Sequence, residues 1–166
     1  MNFYGVGVML GGFGTDPYDI MPICKEHGFW YMDFNKDKLP DKLEFIEMLE
    51  ETIENIQVGD IIFAKGFHFS SPRKLYIRAI GRVTSKEMPD DIPSELKNKS
   101  GVSVSWEKYY ENRICLESSD TFMSEGFVKG CDKEHNRCNT IFEETNEQMK
   151  LKIMELLFGD IGKEIQ

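Results

Sequence analysis

The chain has 166 residues, 40% hydrophobic and 30% charged, which suits one core of ordinary size and is too short for two full domains. Its 20 Lys plus Arg against 29 Asp plus Glu leave a net charge of -9, and a uniformly acidic surface of that kind repels a phosphate backbone. No apolar run reaches the roughly 18 residues of a membrane span, so transmembrane and collagen-like readings are excluded. The start Met1-Asn2-Phe3-Tyr4 has neither a basic leader nor a cleavable apolar stretch, and a cytoplasmic location is expected. The 4 cysteines are too few for a disulfide scaffold, which leaves buried thiols, metal ligands or reactive sites.

Phe3 to Leu10 alternates large apolar residues with glycine and predicts a buried first strand, followed by a turn from Gly11 to Pro17. A short helix is expected within Asp19 to His27, its start restricted to near Pro22, and Gly28 to Phe34 reads as a second strand. Leu39, Leu43, Ile46, Leu49, Ile53 and Ile56 recur every three or four residues with acids between them, which predicts an amphipathic helix. A Gly59-Asp60 turn then leads into the strand Ile61 to Lys65, a loop, and a strand from Leu75 to Val83. Strict alternation along that strand places Tyr76, Arg78, Ile80 and Arg82 on one face. Met88 to Ser100 is expected to be a surface loop with at most one helical turn. Val102 to Trp106 alternates again, and Arg113 to Leu116 forms a strand fragment. Thr140 with Glu143 matches a capping box for a C-terminal helix that Gly159 ends. The pattern predicts a single α+β domain over 1–166, with a small curved mixed or antiparallel barrel-like sheet packed by two to three helices. Residues 131–166 form a C-terminal loop and helix extension.

Charge is distributed unevenly. From Ile61 to Lys86 there is no acidic residue, while Lys65, Arg73, Lys74, Arg78, Arg82 and Lys86 fall inside that window. Such an island is either a solvated cluster balanced by the acidic helix before it or an anion-binding face. Trp30, Tyr31, His68, Tyr76 and Trp106 lie on or beside the predicted strands. Their mixture with Arg78 and Arg82 is the one that stacks a base and holds its phosphate, although either tryptophan also suits a core.

Three further constellations are weaker. The glycines from Gly5 to Gly14 fit neither phosphate-loop spacing and suit a turn or barrel corner better. Cys131, His135 and Cys138, with Cys24 and His27, contain the residue types zinc takes, but their spacing follows no zinc pattern, so no cofactor is expected beyond that minor candidate. Carboxylate pairs such as Asp90-Asp91 lack the histidine or third acid of a metal-dependent nuclease, which favours a non-enzymatic protein.

The order VGDIIFAK, LYIRAIGRV, VSVSW resembles the PUA-like superfamily, and in particular EVE-type domains and the related modules of modification-dependent restriction proteins. The matching residues are Gly59, Asp60, Ile61 and Ile62, then Ala79, Ile80, Gly81 and Val83, then Val104 and Trp106. The opening FYGVG and the segment GFWYMDF are similar as well, so the resemblance spans roughly residues 3 to 106. It implies a reader that accepts a modified or flipped base between aromatic walls. Trp30 and Trp106 would form the walls beside Tyr76, with Asp33 or Ser105 bonding a base edge. Lys65, His68, Arg73, Lys74, Arg78 and Arg82 would contact phosphate. The expected partner is a nucleic acid or nucleotide, with no membrane. The competing expectation is a small acidic protein-interaction module, such as a phage-type inhibitor or adaptor acting on a host defence protein.

Overall fold

The computed structural model describes residues 1–12, 15–68, 74–116 and 139–159. The strands are β1 (Phe3–Gly7), β2 (Met9–Gly12), β3 (Thr15–Asp19), β4 (Phe29–Met32), β5 (Ile61–His68), β6 (Lys74–Ser85), β7 (Ser100–Leu116) and β8 (Ile141–Glu143). The helices are α1 (Met21–His27), α2 (Leu43–Asn55) and α3 (Glu147–Phe158), with 3-10 turns at Pro40–Lys42 and Ser94–Leu96. Six strands in the order β4-β7-β6-β5-β1-β8 form a curled, half-barrel sheet, and β2 pairs with β3 as a separate ribbon. β1 runs parallel to β5, and the other neighbouring pairs in the sheet are antiparallel. A mixed, curved α+β sheet packed by helices is therefore the architecture.

Alternation in the strands builds two cores, one on each side of the sheet. Tyr4 and Val6 of β1, Ile62 and Ala64 of β5, and Val102 and Val104 of β7 face α1 and α2, whose Met21, Cys24, Ile46, Leu49 and Ile53 complete the first core. Phe3, Ile61, Phe63 and Phe142 face the other way, onto Met149, Ile153 and Leu157 of α3. Gly5 belongs to that second side, where a side chain would run into the rings of Phe142 and Phe63.

Local chemistry sets the ends of the elements. The Asp19 carboxylate accepts from the Met21 N–H at 2.9 Å at the start of α1, and Gly28 (φ 70°) ends that helix by donating to the Cys24 carbonyl. Gly59 turns the chain into β5 at φ 94°, a left-handed value that glycine tolerates. The buried Asp60 carboxylate then accepts from the N–H groups of Asn2 and Gln57, each at 2.8 Å. The Gly-Asp pair of the sequence motif thus fastens the entry of β5 to the start of the chain.

Four expectations change. The first strand breaks at Val8, where Gly7 donates to the Thr140 carbonyl and Val8 accepts from Ile20, so two strands replace one. Thr15 to Asp19, expected within or just beyond a turn, pairs with β2 as a strand. Val102 to Trp106 and Arg113 to Leu116 belong to one strand of 17 residues. The capping box of Thr140 and Glu143 caps nothing, because Ile141–Glu143 pairs with Tyr4, Gly5 and Val6 as an edge strand. Asn146 caps α3 instead, accepting from the Met149 N–H at 3.0 Å, and Gly159 (φ 71°) follows its last residue.

Candidate ligand-binding surface

One irregularity in β6 decides where the basic residues point. Ala64 pairs with Ala79 but Lys65 pairs with Ile77, which leaves Arg78 as an extra residue in a bulge. Ile77 and Ile80 consequently face the same core, that of α3, although they are three residues apart. The expected shared face for Arg78 and Arg82 is corrected by this bulge. Arg78 turns to the α1 side and binds Asp19 with both guanidinium nitrogens, at 2.8 and 2.7 Å. Arg82 turns to the α3 side, where its Nε donates to Glu107 at 2.9 Å and its guanidinium lies 5.2 Å from the Phe158 ring centre.

On the α1 side, Arg78 keeps company that the basic window alone did not reveal. Tyr76 lies two residues before it on the same face, and the Arg113 guanidinium sits over the Tyr76 ring at 4.7 Å. The β6–β7 pairing steps from Ile77–Ile114 to Ala79–Tyr109, which brings Tyr109 beside the bulge. Lys25 of α1 reaches over the Tyr109 ring, its Nζ 3.9 Å from the ring centre. Lys25, Tyr109 and Arg113 are exposed and Tyr76 is half-buried. Three cations and two tyrosine rings therefore form one surface, with Asp19 as the carboxylate inside it.

The electrostatics of that surface centre on the Arg78–Asp19 pair. Partial burial raises the affinity of the Asp19 carboxyl for a proton. The hydrogen bonds from Arg78 and Met21, with the charges of Arg78 and Arg113, outweigh it and hold the carboxyl below its usual value of 3.8. From the ribbon itself, the Tyr18 hydroxyl of β3 donates to Asp33 at 2.8 Å, and Lys99 pairs with the same carboxylate at 2.6 Å. Burial and then that bond to Asp33 push the Tyr18 hydroxyl up to about 12. Asp33 is thus engaged by two neighbours at the end of β4.

Of the remaining sequence candidates, Trp106 comes near this surface, through the α1 residue that precedes Lys25. Trp30 has no exposed area and its indole N–H donates to the Gly7 carbonyl at 2.9 Å, so it is part of the first core. Trp106 is half-buried, with its N–H shared between the carbonyls of Cys24 at 3.2 Å and Phe29 at 3.3 Å. Ser105 pairs across from Arg82, on the exposed rim of β7. Lys65 is buried at 3% exposure, donating to the Asn139 carbonyl at 2.7 Å, and so ties β5 to the approach to β8. Lys74 opens β6 opposite His68, the last residue of β5. Arg73 and the trio Cys131, His135 and Cys138 lie outside the described residues. Cys24 faces the first core, where burial pushes its thiol up to about 12 and away from nucleophilic use. Among the described residues, no three His, Cys, Asp or Glu side chains converge on a point that would hold a metal.

A cleft of about 530 Å³ lies elsewhere, between the end of α2 and residues 86–101, with Ile53, Met88 and Ile92 among lysines and acids. Its lining is of mixed charge: Glu50, Glu54, Glu87 and Asp90 alternate with Lys86, Lys97 and Lys99. No family model and no curated protein matches the chain.

Lys25, Tyr109 and Arg113 escaped the sequence reading for a physical reason. They lie far from the basic window in the chain, and only the length of β7 and the docking of α1 bring them to Arg78. The signal available was the alternation of Glu107, Tyr109, Glu111 and Arg113, which continues the strand past Trp106.

Proposed function

We propose that the chain is a non-enzymatic binding module of the PUA-like, EVE-type kind that takes a nucleotide or a base-bearing nucleic-acid segment on the face of Tyr76, Arg78, Tyr109 and Arg113. The observation that carries this reading is the layering of Arg113 on Tyr76 and Lys25 on Tyr109 around Arg78. A guanidinium stacked on a ring extends the flat platform a base can lie on, while its edge N–H groups point outward for phosphate. The local positive charge offsets the repulsion expected from a net charge of -9.

The curled mixed sheet with helices against it supports the PUA-like reading, as do the structural places of two motif residues. Gly59 supplies a left-handed turn, and at Gly81 a side chain would strike the Ser105 carbonyl of the neighbouring strand. The aromatic platform of this proposal is built by tyrosines rather than by Trp30, which is enclosed in the first core.

A second reading, a protein-interaction module, draws on the exposed Glu44, Glu47, Glu51 and Glu54 along the outer side of α2. Native mass spectrometry of protein purified from its expression host, compared with the denatured mass, separates the two. A retained nucleotide or oligonucleotide supports the reader. A retained host protein and no mass from any nucleotide, even after added nucleoside monophosphates, overturns it in favour of the second reading.

A further inference from the structure

We propose that Asp19 is an internal stand-in for the ligand's phosphate, and that a terminal phosphate monoester takes the Arg78 fork by displacing it. The inference rests on the nucleotide reading of this surface and names the ligand class within it. Both Asp19 oxygens meet the two Arg78 nitrogens, at 2.8 and 2.7 Å, in the paired geometry that a guanidinium offers to carboxylate and phosphate alike. The Arg78 side chain is only 15% exposed, whereas that of Asp19 is 35% exposed, so the fork is reached from the carboxylate's side. Arg113 also acts on Asp19 through its charge, and it stands over Tyr76, where the base would lie.

Displacement has a defined local consequence. Asp19 closes the β2–β3 ribbon and also accepts from the Met21 N–H at 2.9 Å, so its withdrawal loosens the first turn of α1. The ribbon keeps a second tie, from Tyr18 to Asp33 at 2.8 Å, and stays docked. An anion that enters must outcompete a singly charged carboxylate already in place. A doubly charged phosphate monoester does so more readily than the singly charged diester inside a polynucleotide chain. The surface therefore selects free nucleotides or terminal phosphates over internal linkages.

Adenosine monophosphate is the probe, titrated into the wild-type chain and into Asp19→Asn. Tighter binding by Asp19→Asn, about tenfold as couplings of this kind run, together with movement of the Met21 amide and the Asp19 carboxyl NMR signals in the wild type, is the expected result. If Asp19→Asn does not fold, the wild-type signals decide. Binding that moves the resonances of Tyr76 and Arg113 but leaves those of Asp19 and Met21 in place overturns the displacement and spares the nucleotide reading. Equal affinity of the two folded proteins does the same, and absence of binding to either overturns both.

Discussion

Replacing Trp30 by phenylalanine separates a core tryptophan from a ligand-facing one. The indole is fully buried and donates to the Gly7 carbonyl at 2.9 Å, where β1 gives way to the bend before β2. Losing that donor costs about 1–3 kcal/mol, the range for stripping a buried acceptor of a partner. Phenylalanine also leaves a space of roughly 40 Å³, which at about 24 cal/mol per Å³ adds about 1 kcal/mol. The sum, about 2–4 kcal/mol, lowers Tm by roughly 4–16 °C, because a domain of this size loses about 2–4 °C per kcal/mol. Thermal and urea unfolding measure the loss, and affinity for nucleoside monophosphates well below the new Tm should be unchanged. An unaltered urea midpoint together with weakened binding would refute the reasoning and return Trp30 to a ligand pocket.

Other expectations follow from the same geometry. Asp19 and Asp33 both have folded-state carboxyls held below the usual 3.8, so their contribution to stability is complete well above that pH and is lost as pH falls through the folded values. Urea midpoints should accordingly fall below about pH 4, and Asp19→Asn with Asp33→Asn should flatten that slope. At the other end, Tyr18 keeps its proton to about 12 while the unfolded chain gives it up near 10. Stability should therefore decline as pH rises between those values. Burial also raises Tyr4, Tyr31 and Tyr110, so a tyrosinate absorbance titration should show several late-titrating rings, of which Asp33→Asn brings Tyr18 earlier. Asn146→Ala removes the cap of α3 and should cost about 1 kcal/mol, read as a lower urea midpoint with an unchanged slope.

How far the sequence spoke depends on the kind of order involved. Helix α2 was legible because Ile46, Leu49 and Ile53 recur at the helical period and are the residues it buries. Tyr4 and Val6 against Phe3 likewise followed the strand period. The bulge at Arg78 left no trace, since LYIRAIGRV is uniformly strand-like and an extra residue changes only the pairing. That single residue moved Arg82 to the opposite face and divided the expected site. The capping box failed for a related reason: Ile141 and Phe142 gain a core on each side by pairing with β1, which a local motif does not register. Lys65 shows the same limit for charge, since a basic residue in a basic window turned out to be a buried tie to Asn139.

The decisive comparison is the affinity of one nucleoside monophosphate for the wild type, Arg113→Ala and Arg82→Ala, measured side by side by calorimetry. Arg113 lies over Tyr76 on the proposed face and Arg82 lies on the far side against Phe158. Arg113→Ala should weaken binding by about tenfold or more, the worth of one charge-assisted contact, while Arg82→Ala stays within about twofold of the wild type. Equal losses in the two variants, or a loss confined to Arg82→Ala, would contradict the placement of the ligand on the tyrosine face.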